Sequence, residues 1–349
     1  CRLLGMSRKW GGWDYLLLAV AGGAVALAAG SRTKLSAVEK EAASERKRKN
    51  QIAVELMGVR NGLCESDEGK VNANKFKPQK SDIFIATYAK AGTTWVTQIC
   101  HMLRSFGNMN FGEITEVVPW DNMALQCGQA LDGPQVAEPR LFKSHRQYGE
   151  ISKGGRYIYV ARDPIDVFVS FYNFLPGYVG LEAGDMTMDD FADAVFAGVS
   201  HGGQIWDHYA SWYDHMKDSN VLWVFFEDLK EDLDREVRRI AKFMKLPERD
   251  VDRRIAIAIE KSSFKFMADP EHKHHFDDHF VWECVKDRLR IPAERSHSVS
   301  KVRSGKTGQK LPDHLRHRLN RQWENVLAPK TGCKTYEEFR AHVRENRTN

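Results

Sequence analysis

The distribution of apolar and polar positions gives the first reading of the fold. Three short uninterrupted apolar runs, 83–88 (IFIATY), 157–161 (YIYVA) and 221–226 (VLWVFF), have the length and composition of strands buried on both faces. Each is followed by a helical pattern, over roughly 94–103, 165–174 and 229–244. A strand, a tight turn and a helix recurring in this order predict an α/β fold. The expected architecture is a single domain with a central parallel β-sheet flanked by helices and right-handed crossovers. Ligands then belong at the carboxyl ends of the strands. A shorter β-like piece at 140–142 lies between the first two runs.

The N-terminal region has a different pattern. Residues 16–29 (LLLAVAGGAVALAA) are uncharged, with Arg8 and Lys9 before them and Arg32 and Lys34 after. This run is shorter than the ~20 residues of a membrane span and fits the core of a signal peptide. A charged stretch, 39–49, follows it. Residues 1–50 are therefore expected to be a leader, whether signal, anchor or ill-defined, with 51–349 forming the domain. Membrane association through 16–29 is the expectation attached to that leader.

Composition narrows the class. With 349 residues, 42% hydrophobic and 28% charged, the chain can bury a sizeable core. The balance of 52 basic and 47 acidic residues is too even to suggest a nucleic-acid partner. The cysteines at 1, 64, 100, 127, 284 and 333 form no CxxC pair, which argues against a zinc ribbon or a dense disulfide framework. Reduced thiols in a cytoplasmic compartment are the simpler reading, with a membrane or organellar address through 16–29 as the alternative. Cys100, in an apolar helical stretch, is expected in the core.

The candidate chemistry lies where strands end. At 88–95 the sequence YAKAGTTW joins the first strand to its helix. Gly92 permits close backbone approach, the N–H groups of Thr93, Thr94 and Trp95 open a helix, and Lys90 adds a cation, so the turn suits an anion. It is not the GxxxxGK[ST] loop, because the lysine precedes the glycine. After YIYVA come Arg162, the helix-opening Asp163-Pro164, and Ser170 two helical turns on. Arg162 has the planar fork that grips a phosphate. A third basic, glycine-bearing loop spans 301–308, and Lys143-Ser144-His145 follows the short β-like piece.

Together these stretches resemble the sulfotransferases that use 3'-phosphoadenosine 5'-phosphosulfate (PAPS), particularly the soluble small-molecule branch. The resemblance covers roughly residues 81–325 and rests on the order and spacing of its motifs. The family's YPKSGTTW 5'-phosphosulfate loop is similar to 88–95, with Ala89 and Ala91 replacing proline and serine. Its KTH segment looks like Lys143-Ser144-His145, which implies His145 as catalytic base. Its YVARNPxDVxVSxY looks like 159–172, which implies Arg162 and Ser170 at the 3'-phosphate. Its RKGxxG loop looks like Arg303-Ser304-Gly305-Lys306-Thr307-Gly308, where Ser304 loses one charge. Trp95, Phe226 (tyrosine in many members), Ser262 and Phe264 match adenine contacts. The KxxxTVxxxE dimerisation signature is not found, so the resemblance implies no oligomeric state.

The resemblance implies sulfonate transfer to a small acceptor that is an alcohol, phenol or amine, with 3'-phosphoadenosine 5'-phosphate (PAP) as product. In this scheme His145 takes the acceptor proton, Lys90 meets the bridging oxygen, and Lys143 with the Thr93 and Thr94 amides holds the remaining oxygens. Protein cations replace a metal, and none is required. Two other readings stay open: an inactive module that holds 3'-phosphoadenosine nucleotides, and a kinase-like enzyme suggested by Gly305-Lys306-Thr307. The run 271–279 (EHKHHFDDH) places His275 and His279 four apart, a spacing that lets them share a helix face as metal ligands, with Asp277 or Asp278 nearby. Trp206, His208, Tyr209, Trp212 and Tyr213 read first as helix packing, with a share in the acceptor-pocket wall as the alternative. Acceptor-lining residues are expected in the loops near 118–132, 174–185 and 266–282.

Overall fold

The computed structural model describes residues 39–182, 184–200, 202–292, 301–302 and 311–348. The chain divides into two compact units, Cys1–Ile52 and Ala53–Asn349. The first is helical over residues 39–52, and the apolar run 16–29 lies outside the described residues. Among the described residues no helix is long and apolar enough to cross a membrane.

The second unit is built on four strands, β1 (Ile83–Thr87), β2 (Leu141–Ser144), β3 (Arg156–Ala161) and β4 (Val221–Phe225). They form one sheet in the order β2-β1-β3-β4, and every pair is parallel. The expected α/β architecture is thus present. Alternate residues face opposite ways along a strand, and each face has its own apolar layer. Ile83, Ile85, Ile158, Val160, Leu222 and Val224 pack with the helices α1 (Thr93–Ser105), α4 (Leu233–Met244) and α5 (Val251–Lys261). Phe84, Phe142, Tyr157, Tyr159 and Trp223 pack on the other face with α2 (Pro164–Tyr172), α3 (Ile205–Tyr213) and α6 (Tyr336–Asn346). This face is an aromatic layer: Tyr159 stacks on Trp212 at 4.7 Å and on His208 at 5.6 Å. Cys100 is fully buried in α1, as expected, and burial pushes its thiol up.

The boundaries differ from the sequence reading in instructive places. The helical pattern over 229–244 is two helices, Phe226–Glu231 and α4. Asp232 breaks it with extended dihedrals and accepts the Arg235 N–H, because an N-cap carboxylate satisfies an orphan amide that a continuing helix would leave to its own carbonyls. β1 ends at Thr87, since Tyr88 turns inward onto Phe171 and His208. Asp163 caps α2 by accepting the Ile165 N–H at 2.8 Å, with Pro164 in the first turn. From β1 the chain passes to β2 on one side, and from the neighbouring β3 it passes to β4 on the other; this divergence between β1 and β3 opens a crevice beyond their carboxyl ends.

Candidate active site

The turn after β1 is fixed by backbone constraints. Gly92 has φ 115° and caps α1, and Lys90 has φ 69°. A Cβ on Gly92 would sit 2.8 Å from Phe226 Cδ2, so only glycine lets the turn rest against that ring. The Ala91 N–H donates to the Tyr88 carbonyl at 3.1 Å and closes the turn. Beyond it, the first-turn N–H groups of α1 have no helical carbonyl partners, the usual basis of an anion site. The Thr87 and Thr93 hydroxyls bond to each other at 2.6 Å, and Lys90 Nζ lies 3.6 Å from the centre of the Phe174 ring.

Arg162, just past β3, is anchored through its backbone. Its N–H donates to the Tyr209 hydroxyl at 2.9 Å, and that hydroxyl donates back to the Arg162 carbonyl. The guanidinium reaches the Lys90 carbonyl and Asp166 Oδ2, each at 3.3 Å, and lies 4.3 Å from the Phe226 ring centre. Two strand-end loops are thereby joined. Trp95 meets Phe226 edge-on at 5.2 Å and donates its indole N–H to the Ser262 carbonyl at 2.7 Å. Among the described residues Ser262 Oγ is buried without a hydrogen-bond partner, and Phe264 beyond it is half exposed. These rings and the orphaned hydroxyl suit an adenine-like group: planar, with polar edges.

The third part of the site stands at the end of β2. His145 Nδ1 is 2.9 Å from the Thr87 carbonyl. A carbonyl only accepts, so Nδ1 carries the proton and Nε2 keeps its lone pair. Burial, and then the Lys143 charge, hold this imidazole well below its ordinary pKa, so it is neutral at pH 7. Trp120 packs edge-on against His145 at 4.9 Å and lies 4.0 Å under Lys143 Nζ. Burial lowers Lys143 to about 8, while Asp278 Oδ1 at 3.4 Å works against that shift. The same carboxylate bonds Lys301. Burial pushes Asp278 up, but Lys143 and Lys301 outweigh it and hold it ionised, below the usual range. Glu113, fully buried nearby, is pushed up to about 7 by burial and by Asp278.

A cavity of about 460 Å³ brings these groups together. Lys90, Gly92, Thr93, Thr94, Trp95, Lys143, His145, Arg162, Ser170, Phe226, Ser262 and Phe264 all line it. Ala91 does not; it is fully buried beneath the turn. Arg303, Ser304 and Gly305 lie outside the described residues. The expected loops contribute Trp120, Phe174, Leu175, Tyr178, Met267 and Asp278.

Several lining or supporting residues were not assigned from the sequence. Asp278 lay inside the His-rich run, and Lys301 opened the basic loop without being given a role. Tyr209, expected in helix packing or in the acceptor-pocket wall, holds the Arg162 backbone. The shared helix face for His275 and His279 is absent: His275 is in a 3-10 turn, Asp278 has φ 68°, and His279 opens a separate helix. His275 pairs with the Gly112 carbonyl and His279 with Asp277. Among the described residues no group of three or more His, Cys, Asp or Glu side chains is arranged to hold a metal.

Cationic side chains, helix-opening amides, rings packed edge-on and a neutral imidazole in one crevice define a group-transfer site for an anionic nucleotide. Residues 80–332 match the sulfotransferase domain, and the chain belongs to that family. It is 33% identical over 189 residues to the amine sulfotransferase of Oryctolagus cuniculus, covering 51% of this chain and 61% of that protein. It is 30% identical over 249 residues to sulfotransferase 1A1 of Rattus norvegicus, covering 67% and 79%. Among solved structures, retinol dehydratase in complex with androsterone and the inactive cofactor PAP has the same fold. That match has a TM-score of 0.56 and 18% identity, and covers 74% of this chain and 84% of that one.

Proposed function

We propose that this chain transfers a sulfonate from PAPS to a hydroxyl or amine of a small acceptor, with His145 as general base. The observation that carries the reading is the pairing of His145 Nδ1 with the Thr87 carbonyl. Thr87 ends the strand that runs into the anion-binding turn, so one backbone segment sets both the base and the donor loop. The acceptor's heteroatom attacks sulfur, its proton passes to Nε2, and the S–O bond to the 5'-phosphate breaks. Charge developing on that leaving oxygen is met by Lys90 and Lys143, with the α1 amides on the remaining oxygens. No metal enters this scheme, since cations of the chain itself surround the anion.

Arg162, Ser170 and Arg303 are assigned to the 3'-phosphate, and Trp95, Phe226, Ser262 and Phe264 to adenine. A PAP-bound protein of the same fold and the names of the sequence relatives support the donor. The catalytic domain is 51–349, with 1–50 a leader, and we place it in the cytoplasm. Calorimetry tests the donor assignment: PAP binds the wild-type chain at least tenfold more tightly than adenosine 5'-phosphate, a difference of about 1.4 kcal/mol. Arg162→Ala removes most of that preference. Equal binding of the two nucleotides to the wild type would refute the assignment.

A further inference from the structure

The donor and base account for one part of the cavity, but its wall also contains a carboxylate with no role in that chemistry. Glu65 lines the same cavity as His145, with only 6% of its surface exposed. One oxygen, Oε2, accepts the Asn122 side-chain N–H at 3.1 Å. Among the described residues the other, Oε1, accepts no hydrogen bond. Oε1 is not fully buried, so a ligand in the cavity can reach it. Burial pushes this carboxyl up, and the nearby Lys70 and Arg146 charges do not cancel that push.

The route from Glu65 to the reacting centre is short in sequence. Asn122, its partner, lies two residues beyond Trp120, the ring packed against His145 and beneath Lys143. Glu65 and Trp120 line the same cavity as His145, together with Trp95, Phe226 and Arg162. Much of the remaining wall is apolar: Ala89, Phe171, Leu175 and the Tyr178 ring line this cavity with Cys64. An apolar-walled pocket with a base for one end of its ligand and a carboxylate elsewhere suits an amphipathic molecule with a polar group at each end.

Resting on the sulfotransferase reading above, we propose that Glu65 is the specificity residue of the acceptor pocket. It selects acceptors that carry a cationic amine remote from the hydroxyl placed at His145. A protonated amine supplies the hydrogen bond that Oε1 lacks and the charge that the buried carboxylate needs. A neutral acceptor of the same shape leaves Oε1 desolvated and unpaired.

The test uses the full chain saturated with PAP and two probes, tyramine and 4-ethylphenol, which share a phenol and differ by the terminal ammonium. Binding is measured by calorimetry, so it does not depend on turnover. Tyramine is expected to bind the wild type at least tenfold more tightly, and Glu65→Gln, which keeps the size and the Asn122 partner, brings the ratio towards one. A wild-type ratio near one, or a preference that survives in Glu65→Gln, overturns the inference. The wild-type ratio decides even if the variant does not fold. PAP binding, measured first in the same wild-type sample, separates the two readings: loss of PAP binding refutes the donor assignment, whereas PAP binding without amine preference refutes only the role of Glu65.

Discussion

Replacing Asp278 with asparagine isolates the electrostatics of the reacting centre. Asp278 holds Lys143 at 3.4 Å and shares its carboxylate with Lys301. At that distance and an effective dielectric constant of about 20, the Lys143 attraction is about 5 kcal/mol, or between three and four pKa units at about 1.36 kcal/mol each. Lys301 takes part of that field and Glu113 persists nearby, so the expected fall in the Lys143 pKa is roughly one to three units. Lys143 begins at about 8 because burial already lowers it. The sign follows from its role: transfer needs the ammonium, so activity is lost as pH rises through the Lys143 pKa. A lower pKa brings that loss to lower pH. The assay is kcat/KM for PAPS across pH 5.5–9, with an acceptor that does not titrate in this window. The wild-type profile should fall above about 8. In Asp278→Asn the fall begins at least about one unit lower, with roughly a fourfold loss relative to its own plateau at pH 7.5 for a one-unit shift. Asparagine also removes an anion that competes with the donor, which raises the plateau without moving the limb. An alkaline limb at the same pH in both proteins would refute the assignment of Asp278 as the group that keeps Lys143 charged.

Two further substitutions test how the donor loops are held. Gly92→Ala places an L-residue at φ 115° and a Cβ 2.8 Å from Phe226; the backbone term alone is about 1–2 kcal/mol. PAP affinity measured by calorimetry should fall at least tenfold, and unchanged affinity would mean that the turn does not hold the donor. Tyr209→Phe removes both hydrogen bonds that the hydroxyl makes to the buried Arg162 backbone. Unfolding free energy from denaturant titration should drop by about 2 kcal/mol or more, and a drop below about 0.5 kcal/mol would show that water or a shifted backbone replaces the hydroxyl.

The parts of this site that were legible in the sequence are those where backbone geometry dictates residue type. Gly92 is required by a positive φ and by the Phe226 ring, Asp163-Pro164 by the start of α2, and the continuous apolar runs by burial on both sheet faces. Each constraint is local, so a short window of sequence records it. The charge cluster obeys a different rule. Asp278 is 135 residues from Lys143, and nothing in the run EHKHHFDDH distinguishes its second aspartate from its first. One is buried between two lysines and the other caps a histidine, because the chain turns through φ 68° between them and the following helix. Tyr209 is a similar case: its ring belongs to the aromatic layer that periodicity predicts, whereas its hydroxyl acts on Arg162 through a contact set by the sheet order. The donor side is built from strand-end turns, which every parallel α/β sheet supplies at fixed points along the chain. The proposed acceptor side draws on Glu65, Trp120, Tyr178 and Asp278, cavity-lining residues from four separate segments of the chain. Under the proposed assignments donor specificity is written in contiguous motifs and acceptor specificity in tertiary convergence, which makes Glu65 and Asp278 the positions where substitution is expected to change the acceptor and the pH profile while the donor loop keeps its shape.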